Sequence, residues 1–584
     1  MSVGSSGLFL AQELIAALFR EDLKVTHRPR VRADDLQHQA SVQPVQCLFR
    51  LQQRQRTGKP AGIEFFISIH NLKYSWFYQE SGTAVLVSFR KQLNEHARIK
   101  PRISILWPMK RLLIFLMLLA LPQALLSARQ DLPTLGDSTS GIISMNQERK
   151  LGQQFLRSVR AGAPTLDDPV IQDYLEHLIY RLASNSQLND RRLDVVLIRN
   201  ATLNAFAAPG GIVGVHHGLF AYAETQHELS AILSHELAHL SQRHFARQLA
   251  QGKKNSVVSL AGLLAGVILA ATAGSDAGMA AMTSSQAYSQ NQHLKYSRDR
   301  EAEADRVGIY TLVESGMDPR AMAYMFERLQ RASRYSTGNR IPEFLRTHPV
   351  TKSRIADSYN QTRNYPKKSF DLDLDYQMMR VRARVLTTND MPGEISRLKA
   401  NLDTENPVMR TAFEYGLAIA QMKELKFDEA RGLISRLREQ YPLNIPIMIA
   451  EAETYEEAQQ AEQAVELFEE ALAVNTGNYP LTVNLGEAFI AGRKPHAALD
   501  VLIPLSVERP NDEFLWYLLA EAYGLANNIP GVHEARAEFF ILNGNFDQAI
   551  KQLGYALPLV RHNFQQTARI RQRLEEIWAL KNNT

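Results

Sequence analysis

Residues 225–250 read TQHELSAILSHELAHLSQRHFARQLA. Thr225 and Glu228 have the spacing of a capping box, which marks the start of a helix. Leu229, Ile232, Leu233, Leu237 and Leu240 then recur at helical spacing and predict one buried stripe. On that helix His235 and His239 lie one turn apart, so both imidazoles project to the same side and can hold one metal ion. Glu236 sits one residue further round, where it can take a proton from a metal-activated water. His244 reads as a cation favourably placed at the helix C-terminus.

A catalytic zinc keeps three protein ligands and one open position, so the pair needs a third. Downstream, residues 296–312 read YSRDREAEADRVGIYTL, where Glu301 and Asp305 stand at i, i+4 on a second predicted helix. A carboxylate there completes a His, His, Glu set, and a second one can accept the free N–H of a ligand histidine. Glu303 competes for the ligand role, and an acidic, arginine-flanked run is equally a solvated helix face. Upstream, residues 204–220 read NAFAAPGGIVGVHHGLF. Proline and glycine inside a strand mark an edge or a bulge. An exposed edge can pair with an extended peptide and read its backbone, which implies broad specificity for unfolded chains. Apart from the metal motif the same residues make an ordinary hairpin turn. His216 and His217 follow this strand and read as surface residues.

H-E-x-x-H followed by E-x-x-x-D resembles the gluzincin peptidases of the CAAX-protease and HtpX type. The resemblance implies that His235, His239 and Glu301 hold one Zn²⁺ per chain and that Glu236 is the catalytic general base, then acid. It implies Asp305 as an acidic partner, either a proton donor or, from its place beside a ligand position, the group that fixes a ligand histidine. Asn204, Ala205, Phe206, Pro209, Gly210 and Gly211 resemble the family's active-site edge strand. A family member carries a histidine, in the loop after the third-ligand helix, that can fill the open zinc position. In LRTHPVTKSR, residues 345–354, His348 stands at the matching place and would be a regulatory fourth ligand.

The flanks suit an exported protein. Residues 109–128 begin MKRLLIFLMLLALPQ; Lys110 and Arg111 precede a short apolar run and then the small residues Ser127 and Ala128. That order is a secretory signal peptide, expected to be cleaved near Ala128. Residues 1–108 then read as an upstream extension translated in error, and as disordered; a real cytoplasmic extension is the alternative. They carry 15 Lys and Arg against 8 Asp and Glu, leaving 51 against 53 in the remainder. The basic balance therefore lies in these residues and is no argument for nucleic-acid binding by the rest. The one cysteine, Cys47, falls there too, so no disulfide staples the exported part. Between the two metal helices, residues 257–283 are apolar and rich in Gly and Ala. The run 257–273 is at the lower limit of a membrane span. A lid or membrane-touching helix is favoured over a membrane hairpin or a buried helix.

After about residue 370 the folding logic changes. Ala430, Ala464 and Ala498 are 34 residues apart, and Pro442 and Pro510 each follow a repeat alanine by twelve. This is the period of tetratricopeptide repeats, helix pairs that bury their apolar faces only by stacking. The expected fold is mostly α with a small β-sheet: a zincin-type peptidase domain over 129–365, connecting helices over 366–405, and an α-solenoid over 406–580. The resemblance covers roughly 109–584. It implies a periplasmic zinc endopeptidase and chaperone of a Gram-negative-type bacterium, with peripheral membrane contact open. Its implied partners are unfolded or misassembled outer-membrane β-barrel proteins and the barrel-assembly machinery. The alternatives are a non-proteolytic scaffold whose zinc site His348 plugs, and an integral membrane protease.

Overall fold

The computed structural model describes residues 143–251, 298–334 and 343–582, and separately residues 50–52, 62–69, 72–79 and 84–90. The chain divides into two units, residues 1–130 and 131–584. The first carries β1 (Arg50–Gln52), β2 (Gly62–Ile69), β3 (Leu72–Gln79) and β4 (Ala84–Arg90), an antiparallel meander in that order. Runs such as GIEFFISI and LKYSWFYQ are rich in β-branched and aromatic residues, which favour a pleated surface. The signal peptide of 109–128 and the apolar segment of 257–283 lie outside the described residues. Among the described residues no helix is long and apolar enough to cross a membrane.

The second unit opens with α1 (Met145–Gly162) and α2 (Pro169–Ser184), then a three-stranded sheet of β5 (Asp194–Ile198), β6 (Ala205–Ala208) and β7 (Ile212–His216). The order is β5-β7-β6: β7 pairs parallel with β5 and antiparallel with β6. Both faces are covered. Val196, Ile198, Phe206 and Ile212 pack against Phe155 and Val159 of α1. Leu197, Ala205, Val213 and Val215 join the main core. Every residue of the central β7 is therefore buried, as a strand covered on both sides requires.

Pro209, Gly210 and Gly211 were expected on the edge strand. They form the β6–β7 turn instead, with φ of +79° at Gly210 and +87° at Gly211, a backbone that glycine adopts readily. A Cβ on Gly210 would sit 2.7 Å from the Glu148 carbonyl of α1. Ala205 and Phe206 do lie on β6, and the Asn204 carbonyl extends the ladder by accepting from His216 N. His216 and His217 are buried at 0% and 8% exposure, not on the surface. The sheet is covered there, and Thr202 Oγ1 lies 2.9 Å from His216 Nδ1.

Helices α3 (Gly218–Tyr222), α4 (Gln226–Ser241), α5 (His244–Gln251), α6 (Arg298–Glu314), α7 (Ala321–Arg334), α8 (Glu343–Thr347) and α9 (Lys352–Thr362) follow in the peptidase part among the described residues. Thr225 caps α4 by accepting from Glu228 N, while the Glu228 carboxylate reaches back to Glu224 N and pairs with Arg328. Helix α4 is buried on all sides from Glu228 to His239, so a single apolar stripe understates it. Helix α6 crosses it closely because Gly308 has no side chain: a Cβ there would meet His235 N at 3.2 Å.

Helices α10 (Leu374–Thr387) and α11 (Met391–Ala400) lead into five helix pairs. These are α12 (Pro407–Lys423) with α13 (Phe427–Gln440), α14 (Ile445–Glu456) with α15 (Ala461–Val474), α16 (Tyr479–Ala491) with α17 (Pro495–Glu508), α18 (Glu513–Leu525) with α19 (Ile529–Leu542), and α20 (Phe546–Leu559) with α21 (Phe564–Asn582). Ala430, Ala464 and Ala498 are each fully buried within the second helix of a pair. Two further 34-residue series accompany them. Leu425, Gln459, Arg493 and Asn527 all have φ between +54° and +61° and follow the first helix of the first four pairs. Asn444, Asn478 and Asp512 cap first helices by accepting from the backbone N three residues on.

The solenoid folds back onto the peptidase part. Arg382 of α10 is buried and donates to Asp168 Oδ2 at 2.8 Å and to both oxygens of Glu453. Further along, Arg509 donates to Glu176 of α2 at 2.6 Å, and Arg160 of α1 donates to the Asn511 carbonyl.

Candidate metal centre

His235 and His239 of α4, Glu301 of α6 and His348 just beyond α8 converge, each offering one donor atom, with all four atoms within 4.8 Å of one another. All four are buried. The two helical Nε2 atoms are 3.0 Å apart. Glu301 Oε2 lies 3.6 Å from His235 Nε2, Glu301 Oε1 lies 3.5 Å from His239 Nε2, and His348 Nδ1 lies 3.4 Å from His235 Nε2. A tetrahedral ion bound at about 2.1 Å keeps its donors about 3.4 Å apart, so this spacing suits one. Lone pairs so close in a dry site repel unless a cation sits between them, and the donor set therefore fits a metal.

Neighbouring side chains orient two of these donors. Asp305, one turn along α6 from Glu301, lies 2.9 Å from His235 Nδ1. An ionised carboxylate only accepts, so it holds the ring with Nδ1–H behind and the Nε2 lone pair toward Glu301. The Asp305 carboxylate thus lies behind the His235 ring, on the side away from Glu301. Asp305 is held in turn by Arg354 of α9, which donates to both its oxygens at 2.7 Å and pairs with Glu301 Oε2 at 2.7 Å. Burial alone would raise the Glu301 and Asp305 carboxyls. Neighbouring groups outweigh it and hold both below the usual carboxylate range: mainly His348 for Glu301, mainly Arg354 for Asp305.

Glu236 is 2% exposed, and burial pushes its carboxyl up. Its Oε2 accepts from Ala207 N of β6 at 3.0 Å. The outer strand of the sheet and the residue after the first histidine are thus tied directly together. Its Oε1 has no hydrogen-bond partner among the described residues and lies 3.6 Å from His348 Nε2.

Three residues here were missed or misread in the sequence. Arg354 carries no motif of its own; the signal is its charge six residues after His348. His244 does not serve as an exposed cation at a helix end. It is fully buried, with Nδ1 2.9 Å from His239 Nδ1, and burial lowers its pKa to about 4. Glu303, weighed above as a ligand, points the other way: its Oε2 lies 3.1 Å from His244 Nε2 and accepts from Arg247 at 2.9 Å. Glu301 and Glu303 share α6 yet face different partners, because a helix turns about 100° per residue and two steps carry a side chain to the far side.

A buried H-E-x-x-H helix with a carboxylate from the next helix, followed by a helical-repeat array, defines a metallopeptidase with a tetratricopeptide domain. Residues 169–360 match peptidase family M48 and residues 455–522 match the tetratricopeptide repeat. The chain is 32% identical over 458 residues to the beta-barrel assembly-enhancing protease of Escherichia coli (strain K12), covering 78% of this chain and 93% of that one. The Yersinia pestis protein of the same name is 32% identical over 455 residues, with the same coverage of both chains. The mitochondrial metalloendopeptidase OMA1 of Schizosaccharomyces pombe is 30% identical over 218 residues, 36% of this chain and 60% of that one. The chain belongs to the beta-barrel assembly-enhancing protease family and is a metalloprotease.

Proposed function

We propose that the protein is a zinc endopeptidase held latent by its own fourth ligand, His348. The observation that carries this reading is the convergence of His235, His239, Glu301 and His348, with Glu236 beside them. His235, His239 and Glu301 would hold the zinc, one per chain. When bound, zinc supplies a Lewis acid that makes water nucleophilic at neutral pH and polarises the scissile carbonyl. Glu236, anchored through Oε2 to Ala207 N, turns Oε1 to the attacking water, takes its proton and returns it to the leaving amine. Asp305 and Arg354 keep His235 and Glu301 in place while charge develops. An extended substrate would lie along the outer side of β6, its backbone read in the region of Asn204, Ala205 and Phe206. His348 competes for the position of the water.

The relatives' name supports outer-membrane β-barrel proteins as substrates or clients, and the repeat array supports docking to the barrel-assembly machinery. The charged, apolar and small-residue order of 109–128 supports export to the periplasm, with 1–108 as upstream sequence. The apolar segment 257–273 is proposed as a lid or membrane-touching helix. A second reading, a chaperone that binds such chains without cutting them, is favoured by the place of His348 within the donor set.

Casein cleavage by the zinc-loaded full-length chain tests this, comparing wild type, His348→Ala and Glu236→Gln. The expected result is faster cleavage by His348→Ala, with Glu236→Gln slower by roughly 10²–10⁴-fold, the usual range for a lost general base. Cleavage by Glu236→Gln at the wild-type rate contradicts the mechanism. No cleavage by any of the three favours the chaperone reading.

A further inference from the structure

We infer that His244 is a positioning residue for the metal centre: together with Glu303 it forces His239 into the tautomer that can bind metal. This rests on the reading of His239 as a ligand. Each of the two helical histidines needs a bare Nε2 and hence a proton on Nδ1. For His235 the acceptor behind the ring is Asp305. For His239 it is another imidazole, which could donate or accept, so something must decide which.

Glu303 decides it. Its ionised carboxylate has no proton to give, so His244 Nε2, 3.1 Å away, must be the donor. A neutral His244 protonated on Nε2 has a lone pair on Nδ1. That lone pair faces His239 Nδ1 at 2.9 Å, so His239 Nδ1 must carry the proton and its Nε2 lone pair faces Glu301 and His235. Arg247 holds the same Glu303 oxygen at 2.9 Å and keeps the carboxylate in place. The chain of donors therefore runs one way, from His239 through His244 to Glu303. It parallels His235, Asp305 and Arg354 on the other side, with an imidazole inserted where that side uses a carboxylate directly. Geometry explains the insertion. His244 opens α5 just after Arg243, whose φ of +48° turns the chain back, and the His244 ring packs against His239 with centroids 4.8 Å apart.

The test is Zn²⁺ affinity of the full-length chain, measured by competition with a chromophoric chelator, beside urea unfolding of the metal-free protein. His244→Phe removes the acceptor and should weaken zinc binding roughly 10- to 100-fold, the usual effect of losing an outer-shell partner. His244→Asn puts an amide oxygen where Nδ1 was and should retain most of the affinity. Wild-type affinity in a folded His244→Phe overturns the inference, and so does an equal loss in His244→Asn. Should His244→Phe fail to fold, Glu303→Leu takes its place, since that side chain is 28% exposed. Weakened binding then supports the assignment and unchanged binding overturns it. His239→Ala separates the two levels. If it keeps zinc, the ligand reading falls and this inference with it; if it loses zinc while His244→Phe keeps it, only the inference falls.

Discussion

The metal centre and the repeat array are built on opposite principles. Around α4 the chain buries four imidazoles, two glutamates, an aspartate and an arginine in direct contact, gathered from residues 235 to 354. In the array the buried groups are mostly apolar and their partners lie in the same or the next helix pair, as with Ala430, Ile434 and Leu437 on one face of α13. Charge is retained in the first region because chemistry needs it, and each charge must be answered by a neighbour. The second region tolerates variation because apolar contacts are individually small. Removing one group should therefore do very different damage in the two places.

The largest effect is expected at Arg354. Arg354→Met strands Asp305 and Glu301 without their guanidinium and should destabilise the metal-free protein by about 3–5 kcal/mol. The matching conservative change in the array, Ile434→Val, should cost only about 0.5–1.5 kcal/mol. Urea denaturation of both variants measures the contrast, and equal losses would break it.

Next in size is packing between array helices. A Cβ on Gly486 would lie 2.5 Å from Leu502 Cδ2, so α16 and α17 touch at this point. Gly486→Ala should cost about 1–3 kcal/mol in the same assay, and that added cost should shrink in a chain already carrying Leu502→Ala. A neutral Gly486→Ala would mean that the Leu502 side chain yields and that this contact does not hold α16 against α17.

The array does hold some charge, and its pH response sharpens the comparison. Glu456 and Glu487 line a cavity of about 670 Å³ with Asp168, Glu453 and Arg382. Burial first, then neighbouring glutamates, raise both carboxyls to about 8. Their folded pKa lies above the unfolded one, so their contribution is complete below about pH 4.5 and is lost as pH rises toward 8. Stability of the full chain should thus fall between about pH 5 and 8, and Glu487→Gln should flatten that slope. Glu394 has the opposite sign: burial opposes it, but Arg397 and Arg384 hold it at about 2. Its contribution is present above about pH 4.5 and lost as pH falls toward 2. An unchanged slope in Glu487→Gln contradicts the assignment.

The smallest effect is a gain. Leu425 holds φ of +60° and is 71% exposed, so the left-handed backbone strains it without compensating burial. Leu425→Asn should raise thermal stability by up to about 1 kcal/mol, since asparagine accepts this conformation more readily.

What could be read in advance follows the same division. The array was legible because its alanines repeat at a fixed period, and so was α4, whose two histidines are four residues apart. The left-handed series from Leu425 to Asn527 escaped notice because Leu, Gln, Arg and Asn share no side-chain chemistry; only the backbone repeats. At the metal centre, Glu301 and His348 were read from resemblance. His244, Glu303 and Arg354 were not assigned correctly, because their roles depend on which way a helix turns after residue 243 and on contacts between segments far apart in the chain. The Pro209–Gly211 turn was misread for a related reason: a glycine pair marks a bend without saying whether a strand continues through it.

The most direct test of the central claim, that His235, His239, Glu301 and His348 hold one ion together, is zinc X-ray absorption on the full-length protein and on His348→Ala. Three imidazoles and one carboxylate are predicted for wild type, with the imidazole scattering reduced by about a third in the variant. An identical spectrum for the two proteins would place His348 outside the coordination sphere and contradict the account.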